Sequence, residues 1–381
     1  MNNLRIVSFL PAATEMVFAL GLGDTLVGVS HECDFPAAAK TKPVVVKPAL
    51  PLETMTLREI DVMVAARIRS GQNLYEVDER LLQQLAPTHI LTQELCAVCA
   101  PSGNEISRAL KALPSQPQIL WFTPHSLEEI FNNLRELGGA TGRSDQAEQF
   151  IASANDRLKK ISARVKRAPR RPKVFCLEWI DPYYCCGHWV PEMIELAGGE
   201  DALGRGRADS VRIPWPDIAA WSPEILIVSP CGFNLEKAVE QAEQLLQQPG
   251  WSDLPAVRDH RVFAVNANAY FARPGPRVVD GVELLAHLIH PELCDWNGGA
   301  GAFRQIQAHR LWPLPVRVKI CPGCGAEFSC GPQAGEDRCW CDELPPLAPS
   351  TAPGTDCLCP ACLAKAVVAA RTTEDGFQPR V

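Results

Sequence analysis

One stretch limits what this chain can fold into: residues 144–165, SDQAEQFIASANDRLKKISARV. Ala147, Phe150, Ile151, Ala154, Leu158, Ile161 and Val165 recur at three- and four-residue steps, with charged and polar residues between them. That spacing is the mark of a helix with one buried face. Ser144 or Asp145 is placed to cap its start, and the proline-broken run at 167–172 stops it. At 1.5 Å per residue, about six turns span roughly 30 Å, the width of a small domain. Segments rich in short apolar strands lie on both sides. The pattern predicts a rigid spine joining two α/β lobes, with a ligand site in the cleft between them.

The flanking segments support this. Strands are expected at 4–10, 25–30, 89–93 and 118–122, alternating with helices at 16–20, 57–69, 77–85, 104–113 and 127–139. Thr56 and Glu59, and again Ser126 and Glu129, have capping-box spacing. After the spine come strands at 173–179, 224–229 and 261–265, with helices at 191–197, 235–247 and 277–289. Strands alternating with helices imply mostly parallel sheets. The expected fold class is α/β: two Rossmann-like lobes joined by one long helix, with a small cysteine-rich, zinc-ribbon-like module at the end. The expected boundaries are 1–125 for the first lobe, 126–172 for the connecting helices and spine, 173–293 for the second lobe, 294–319 for a linker and 320–381 for the module.

Composition excludes some functions. The formal net charge of −7 argues against a general nucleic-acid binder. No apolar run reaches the roughly 18 residues needed to span a membrane. A core strand begins by Leu4, leaving no room for a signal peptide, so the protein is expected in the cytosol. Sixteen cysteines in such a compartment suggest metal ligands or buried thiols rather than disulfides.

In open parallel sheets, ligands bind at the carboxyl ends of the strands. The turns there carry unusual residues: His31, Glu32 and Asp34; Gln93; Glu178, Trp179 and Asp181; His188 and Trp189; Phe233; and Asn268, Tyr270, Phe271 and Arg273. Imidazoles, aromatics and amides suit a cleft that closes on a large small-molecule ligand, part apolar and part polar. His188 is placed to contact a metal centre, and Trp179, Trp189, Tyr270 and Phe271 to form an aromatic platform. Arg273 and Arg277 are placed to bind an anionic edge or to form a salt bridge. A separate reading takes His31, Cys33, Cys96 and Cys99 as a metal or catalytic cluster.

The opening RIVSFLPAATEMVFALGLGDTLVGVSHECDFP, with LAPTHILTQ, WSPEILIVSP and PGWSDLPAVRDHRVFAV, resembles the iron-siderophore and cobalamin substrate-binding proteins of ABC importers. Within that family, SHECDFP, LTQELCAVCA, GHWVPEMIELAGG, PCGF and NAYFARPGPR resemble a cobalamin-binding subgroup. The resemblance implies a class III periplasmic-binding-protein-like fold with a corrinoid or related metal chelate between the lobes. Importer-coupled members carry a docking Glu in each lobe. The corresponding positions here hold Arg80 and Pro216, with Asp78, Glu79 and Asp217 close by. This puts coupling to an importer in doubt.

The last cysteines read as CxxC (Cys321, Cys324), Cys330, CxC (Cys339, Cys341) and CxCxxC (Cys357, Cys359, Cys362). A CxxC on a tight turn brings two thiolates to one tetrahedral Zn²⁺, and eight thiols suffice for two such sites. A segment this short, with few large apolar residues, needs such staples to fold. It resembles a small module named for its Cys-Trp-Cys core. The expected pairing of the cysteines is open at this point.

Overall fold

The spine helix forms over Ser144–Val165 and buries Ala147, Ile151, Ala154, Leu158, Ile161 and Val165, with Phe150 half-buried beside them. The structure, a computed structural model, describes residues 4–93, 113, 116–306, 319–321, 323–328 and 359–366. The expected helix at 104–113 and the residues Cys96 and Cys99 lie outside the described residues, apart from position 113. Neither Ser144 nor Asp145 caps the spine. The preceding helix runs through its glycines to Thr141 and is closed by Gly142 at φ 70°, so Arg143 is the cap position. Gly138 does not break that helix. A Cβ there would stand 2.9 Å from Ala147 Cβ, so its bare backbone lets the spine pack closely.

The first lobe is β1 (Ile6–Ser8), α1 (Pro11–Ala19), β2 (Leu26–Ser30), β3 (Val44–Pro48), α2 (Leu57–Arg69), β4 (Tyr75–Val77), α3 (Glu79–Leu85), β5 (His89–Thr92) and β6 (Gln118–Trp121). Its sheet order is β4-β3-β2-β1-β5-β6, parallel except for the β3–β4 edge pair. Residue 77, expected to begin a helix, instead ends an edge strand through pairing with Val46, and the helix begins only after Asp78 caps it. The Thr56–Glu59 box forms as expected.

Helix α4 (Leu127–Thr141) and the spine, α5, lead to the second lobe. This contains β7 (Val174–Ile180), β8 (Tyr183–Cys185), β9 (Gly187–His188), α6 (Val190–Leu196), β10 (Arg205–Gly206), α7 (Trp215–Trp221), β11 (Ile225–Val228), α8 (Leu235–Gln244), β12 (Val262–Val265), α9 (Val278–Ile289) and β13 (Phe303–Gln305). The main sheet runs β13-β12-β11-β7-β8, with a parallel centre and antiparallel edges. The expected linker therefore supplies a strand: Phe303 pairs with Val265.

The chain divides into two compact units, Met1–Ile306 and Gln307–Val381. Within the first, buried side chains of both lobes and the spine form one continuous apolar cluster, from Leu10 and Met16 through Ile151 and Leu158 to Met193 and Leu285. Arg157 adds a lock, reaching from the spine to Asp280 and Glu283 of α9. Among the described residues, no helix is long and apolar enough to cross a membrane.

Asp201 organises the loop that lays β10 beside β9. Its Oδ1 accepts from the amides of Leu203 (3.0 Å) and Gly204 (2.9 Å), while Oδ2 is buried with no hydrogen-bond partner among the described residues. Burial pushes this carboxyl from its ordinary 3.8 up to about 6. The folded state thus holds the proton more tightly than the unfolded chain. The resulting stabilisation is complete below about pH 4 and is lost as pH rises through about 6. Asp201→Asn keeps the amide acceptor and removes the titration. Urea melts at pH 5 and pH 7.5 are expected to show a smaller loss of stability with rising pH in the variant, by about 1–2 kcal/mol.

Candidate functional site

The carboxyl ends of the two sheets face each other, and three groups of side chains cross between them. The most buried is built on Glu15, the one charged residue of α1. Glu15 is only 4% exposed and accepts two hydrogen bonds from Arg277, one at 2.8 Å. Arg273, also buried, stands 3.8 Å from Glu15, pairs with Asp34 and donates to the Glu32 carbonyl at 2.9 Å. The Phe35 ring lies 4.1 Å from the Arg277 guanidinium carbon. Burial pushes the Glu15 carboxyl up, against the pull of Arg277 and Arg273.

The second group joins α2 to the β7–β8 hairpin. Arg58 forms a fork on Asp181, and Asp61 accepts from the Tyr184 hydroxyl and pairs with Arg212. Beside it lies a cavity of about 660 Å³, lined by Arg58, Asp181, Tyr183, Arg212, Pro214 and Gln248, among others. The third group joins the start of α4 to α6 and to the turn after β10. Glu129 pairs with Arg207, and the Leu127 amide donates to Glu192 at 2.9 Å. Here the second capping box departs from expectation. Ser126 accepts from the Glu129 amide, but the Glu129 carboxylate takes the His125 amide (2.7 Å) instead of closing the box.

The expected site residues divide accordingly. Trp179 and Phe233 sit together, ring centroids 5.8 Å apart, and the Asn268 amide group donates to the Gly232 carbonyl next to Phe233. These three are partly exposed on the rim of the second lobe. Glu178 accepts from Ser210 at 2.7 Å, and burial raises its carboxyl. His188 is 13% exposed on its side chain, and burial lowers its imidazole. Trp189 and Phe271 do not form a platform. Both are core residues, with Trp189 Nε1 donating to the Phe271 carbonyl at 2.8 Å. Tyr270 packs edge-on to Trp296. Gln93 is buried at the end of β5. Arg273 and Arg277 form the salt bridge rather than an anion site, and the bridge crosses the lobes.

The His31–Cys33 reading fares differently. Cys33 is buried in the core, accepts from the Thr14 hydroxyl at 3.0 Å and lies 3.4 Å from the Ser30 hydroxyl. Burial raises its thiol. His31 faces Glu32 and Tyr75, at 3.9 Å and 6.3 Å. The two therefore form no nucleophile–base pair of the kind described by a short imidazole–sulfur contact. Glu15, His125, Arg58 and Asp61 were not singled out from the sequence, and Glu129 was read only as a helix cap. Only Glu15 gave a signal, as a carboxylate inside the apolar run PAATEMVFAL.

In the second unit, Cys321, Cys324, Cys359 and Cys362 bring their sulfurs within 4.8 Å of one another. The Cys324 and Cys359 sulfurs are 3.6 Å apart, and the Cys359 amide donates to the Cys321 sulfur at 3.3 Å. Backbone amides, that of Cys359 foremost, hold the Cys321 thiol down to about 6. Four thiolates at these separations fit one tetrahedral ion, since metal–sulfur bonds of about 2.3 Å place the sulfurs about 3.8 Å apart. Cys330, Cys339, Cys341 and Cys357 lie outside the described residues.

Two α/β lobes on one helical spine, facing across a cleft at their strand ends, define a class III periplasmic-binding-protein-like fold. The chain belongs to the periplasmic binding protein family, whose sequence model matches residues 6–269. Residues 321–364 match the family described as Cysteine-rich CWC. The chain is 27% identical over 296 residues to the uncharacterized ABC transporter substrate-binding lipoprotein YvrC of Bacillus subtilis, covering 76% of this chain and 80% of that protein. It is 26% identical over 283 residues to the vitamin B12-binding protein of Vibrio cholerae, covering 73% and 86%. Among solved structures, the periplasmic vitamin B12 binding protein BtuF of Vibrio cholerae superposes with a TM-score of 0.57 at 21% identity, covering 75% and 96%. The periplasmic heme-binding protein RhuT of Roseiflexus sp. RS-1 gives 0.58 at 22%, covering 76% and 98%. The doubt about importer coupling finds no support in this kinship. Arg80 and Pro216 are exposed, but so are Asp78, which caps α3, and Asp217 in the first turn of α7.

Removing one partner of a buried ion pair strands the other. Glu15→Met is expected to lower stability by about 3–5 kcal/mol. Adding Arg277→Met should recover at least half of that loss in a double-mutant cycle read by urea denaturation.

Proposed function

We propose that the first unit binds a corrinoid, or a closely related metal chelate, in the cleft between the lobes. The reading is carried by the cleft rim, where half-buried Trp179 and Phe233 offer an apolar face beside the amide of Asn268. A flat ligand edged with amides needs both. Support comes from the Vibrio cholerae vitamin B12-binding protein, which is related along most of both chains. Binding by the remaining sequence-derived positions His31, Glu32, Asp34, Glu178 and Asp181 belongs to the same proposal. The continuous core and the buried Glu15 cluster favour modest closure over wide hinge motion.

Tryptophan fluorescence of the purified protein, titrated with cobalamin, cobinamide and haem, tests this. The expected result is saturable quenching by a corrinoid at micromolar or lower concentration, weakened at least tenfold by Trp179→Ala. Flat titrations with all three would sink the proposal, and quenching by haem alone would replace the corrinoid with a porphyrin.

We also propose that the four-sulfur cluster holds structural zinc. Thiolates alone in a tetrahedral set suit Zn²⁺, and a small unit with little core draws its folding energy from the metal. Zinc analysis by mass spectrometry should show one equivalent fewer in Cys359→Ser than in the parent; an unchanged content argues against it. A cytosolic working place is part of the same reading, supported by Cys33, Cys176, Cys185, Cys186 and Cys294, which are buried free thiols. Fractionation of cells producing the full-length gene product decides that point.

A further inference from the structure

The third cross-lobe group contains chemistry that the ion pairs do not explain. His125, at the start of α4, and His188, in β9, come from different lobes and lie with ring centroids 5.7 Å apart at 58°. Each imidazole has a carboxylate at one nitrogen. His125 Nδ1 is 3.5 Å from Glu129, and His188 Nε2 is 3.7 Å from Asp209. A carboxylate in that position favours the tautomer with its proton facing the acid, which leaves the other nitrogen with a free lone pair. This is how metal-ligating histidines are commonly oriented. His188 Nδ1 is buried and has no hydrogen-bond partner among the described residues.

The backbone around His188 is held in an unfavourable state. His188 has φ 53°, a left-handed conformation uncommon for a residue with a side chain. It is kept there from both sides: its amide donates to the Ala208 carbonyl at 2.8 Å, and its own carbonyl accepts from Arg207 at 2.9 Å. The preceding Gly187 is equally constrained, since a Cβ would stand 2.5 Å from the Ala208 oxygen. Across the gap, Glu129 is fixed by the His125 amide and by Arg207, so the carboxylate that orients His125 is itself anchored.

We propose that His125 and His188 supply one ring nitrogen each to a divalent metal ion of borderline softness, of the zinc, nickel or cobalt class, bridging the lobes. Glu129 and Asp209 orient the rings. The spacing suits one small ion: with metal–nitrogen bonds of about 2.0–2.1 Å, two imidazoles on one ion have centroids roughly 5–6 Å apart. It does not suit a macrocycle clamped between the rings. Two protein ligands leave open coordination positions, so the ion can take water or a donor atom of a bound molecule. The site is independent of the corrinoid reading and of the four-cysteine cluster.

The test uses untagged full-length protein whose thiols have first been saturated with zinc. Calorimetric titration with Ni²⁺ is expected to show one further site. His125→Ala and His188→Asn should each weaken it at least tenfold, and the double variant should be little worse than either single one, because both remove the same ion. Asn tolerates the left-handed backbone, so His188→Asn keeps the loop, and the partly exposed His125 gives a second variant with little structural risk. Asp209→Asn, at an exposed position, should weaken binding about tenfold. With Cu²⁺ as probe, electron paramagnetic resonance should show nitrogen couplings that both histidine variants reduce. No nickel uptake beyond the zinc-filled thiols, or uptake unchanged in His125→Ala and His188→Asn, would overturn the assignment.

Discussion

The Glu15–Arg277–Arg273–Asp34 cluster is the interaction on which the arrangement of the two lobes rests. A carboxylate at 4% exposure is costly to desolvate and is tolerable only with its guanidinium partners in place. Those partners lie far along the chain, with Arg277 262 residues from Glu15, beyond the spine and beyond the last parallel strand. Pairing Glu15 with Arg277 therefore requires both lobes to be complete and correctly turned toward each other. Hydrophobic contact along the spine is not directional. The ion-pair network is, and it fixes which surfaces of the lobes meet.

With that contact set, the cleft acquires its character. The strand ends of the two sheets are brought face to face, as open parallel sheets present them, and each additional contact forms around this centre. The hairpin of the second lobe meets α2, and α6 and the turn after β10 meet α4. The rim of aromatics and amides lies among these contacts. The fold thus brings surfaces from both lobes to one cleft.

Much of this architecture was legible in the sequence because it follows from periodicity. The stripe in residues 144–165 marked the spine and its buried face, though not its cap, and the strand–helix alternation marked the parallel centres β2-β1-β5-β6 and β12-β11-β7 but not the strands flanking them. Features that depend on partners distant in the chain were not legible. The edge strand at 303–305 is three residues that become a strand through pairing with β12. Residue 77 follows its neighbour β3 rather than its own helical surroundings. At the site, Trp189 and Phe271 read as surface aromatics from their loop positions, yet both fill the core. The ring of cross-lobe ion pairs left no local pattern, since charges such as Arg58 and Asp61 resemble any wet helix face. The cysteines were the reverse: their spacing announced a metal-binding module, and only the fold could say that the first and last CxxC pairs converge.

The contrast between the buried cluster and its exposed counterparts has a mechanical consequence. Arg58 and Arg207 are 70% and 66% exposed on their side chains, so dissolved ions screen their pairs, while Glu15 and its partners lie beyond that reach. The Glu15 side is accordingly the contact between the lobes least sensitive to salt. Raising the ionic strength should loosen the Arg58 and Arg207 contacts first and leave the Glu15 contact in place.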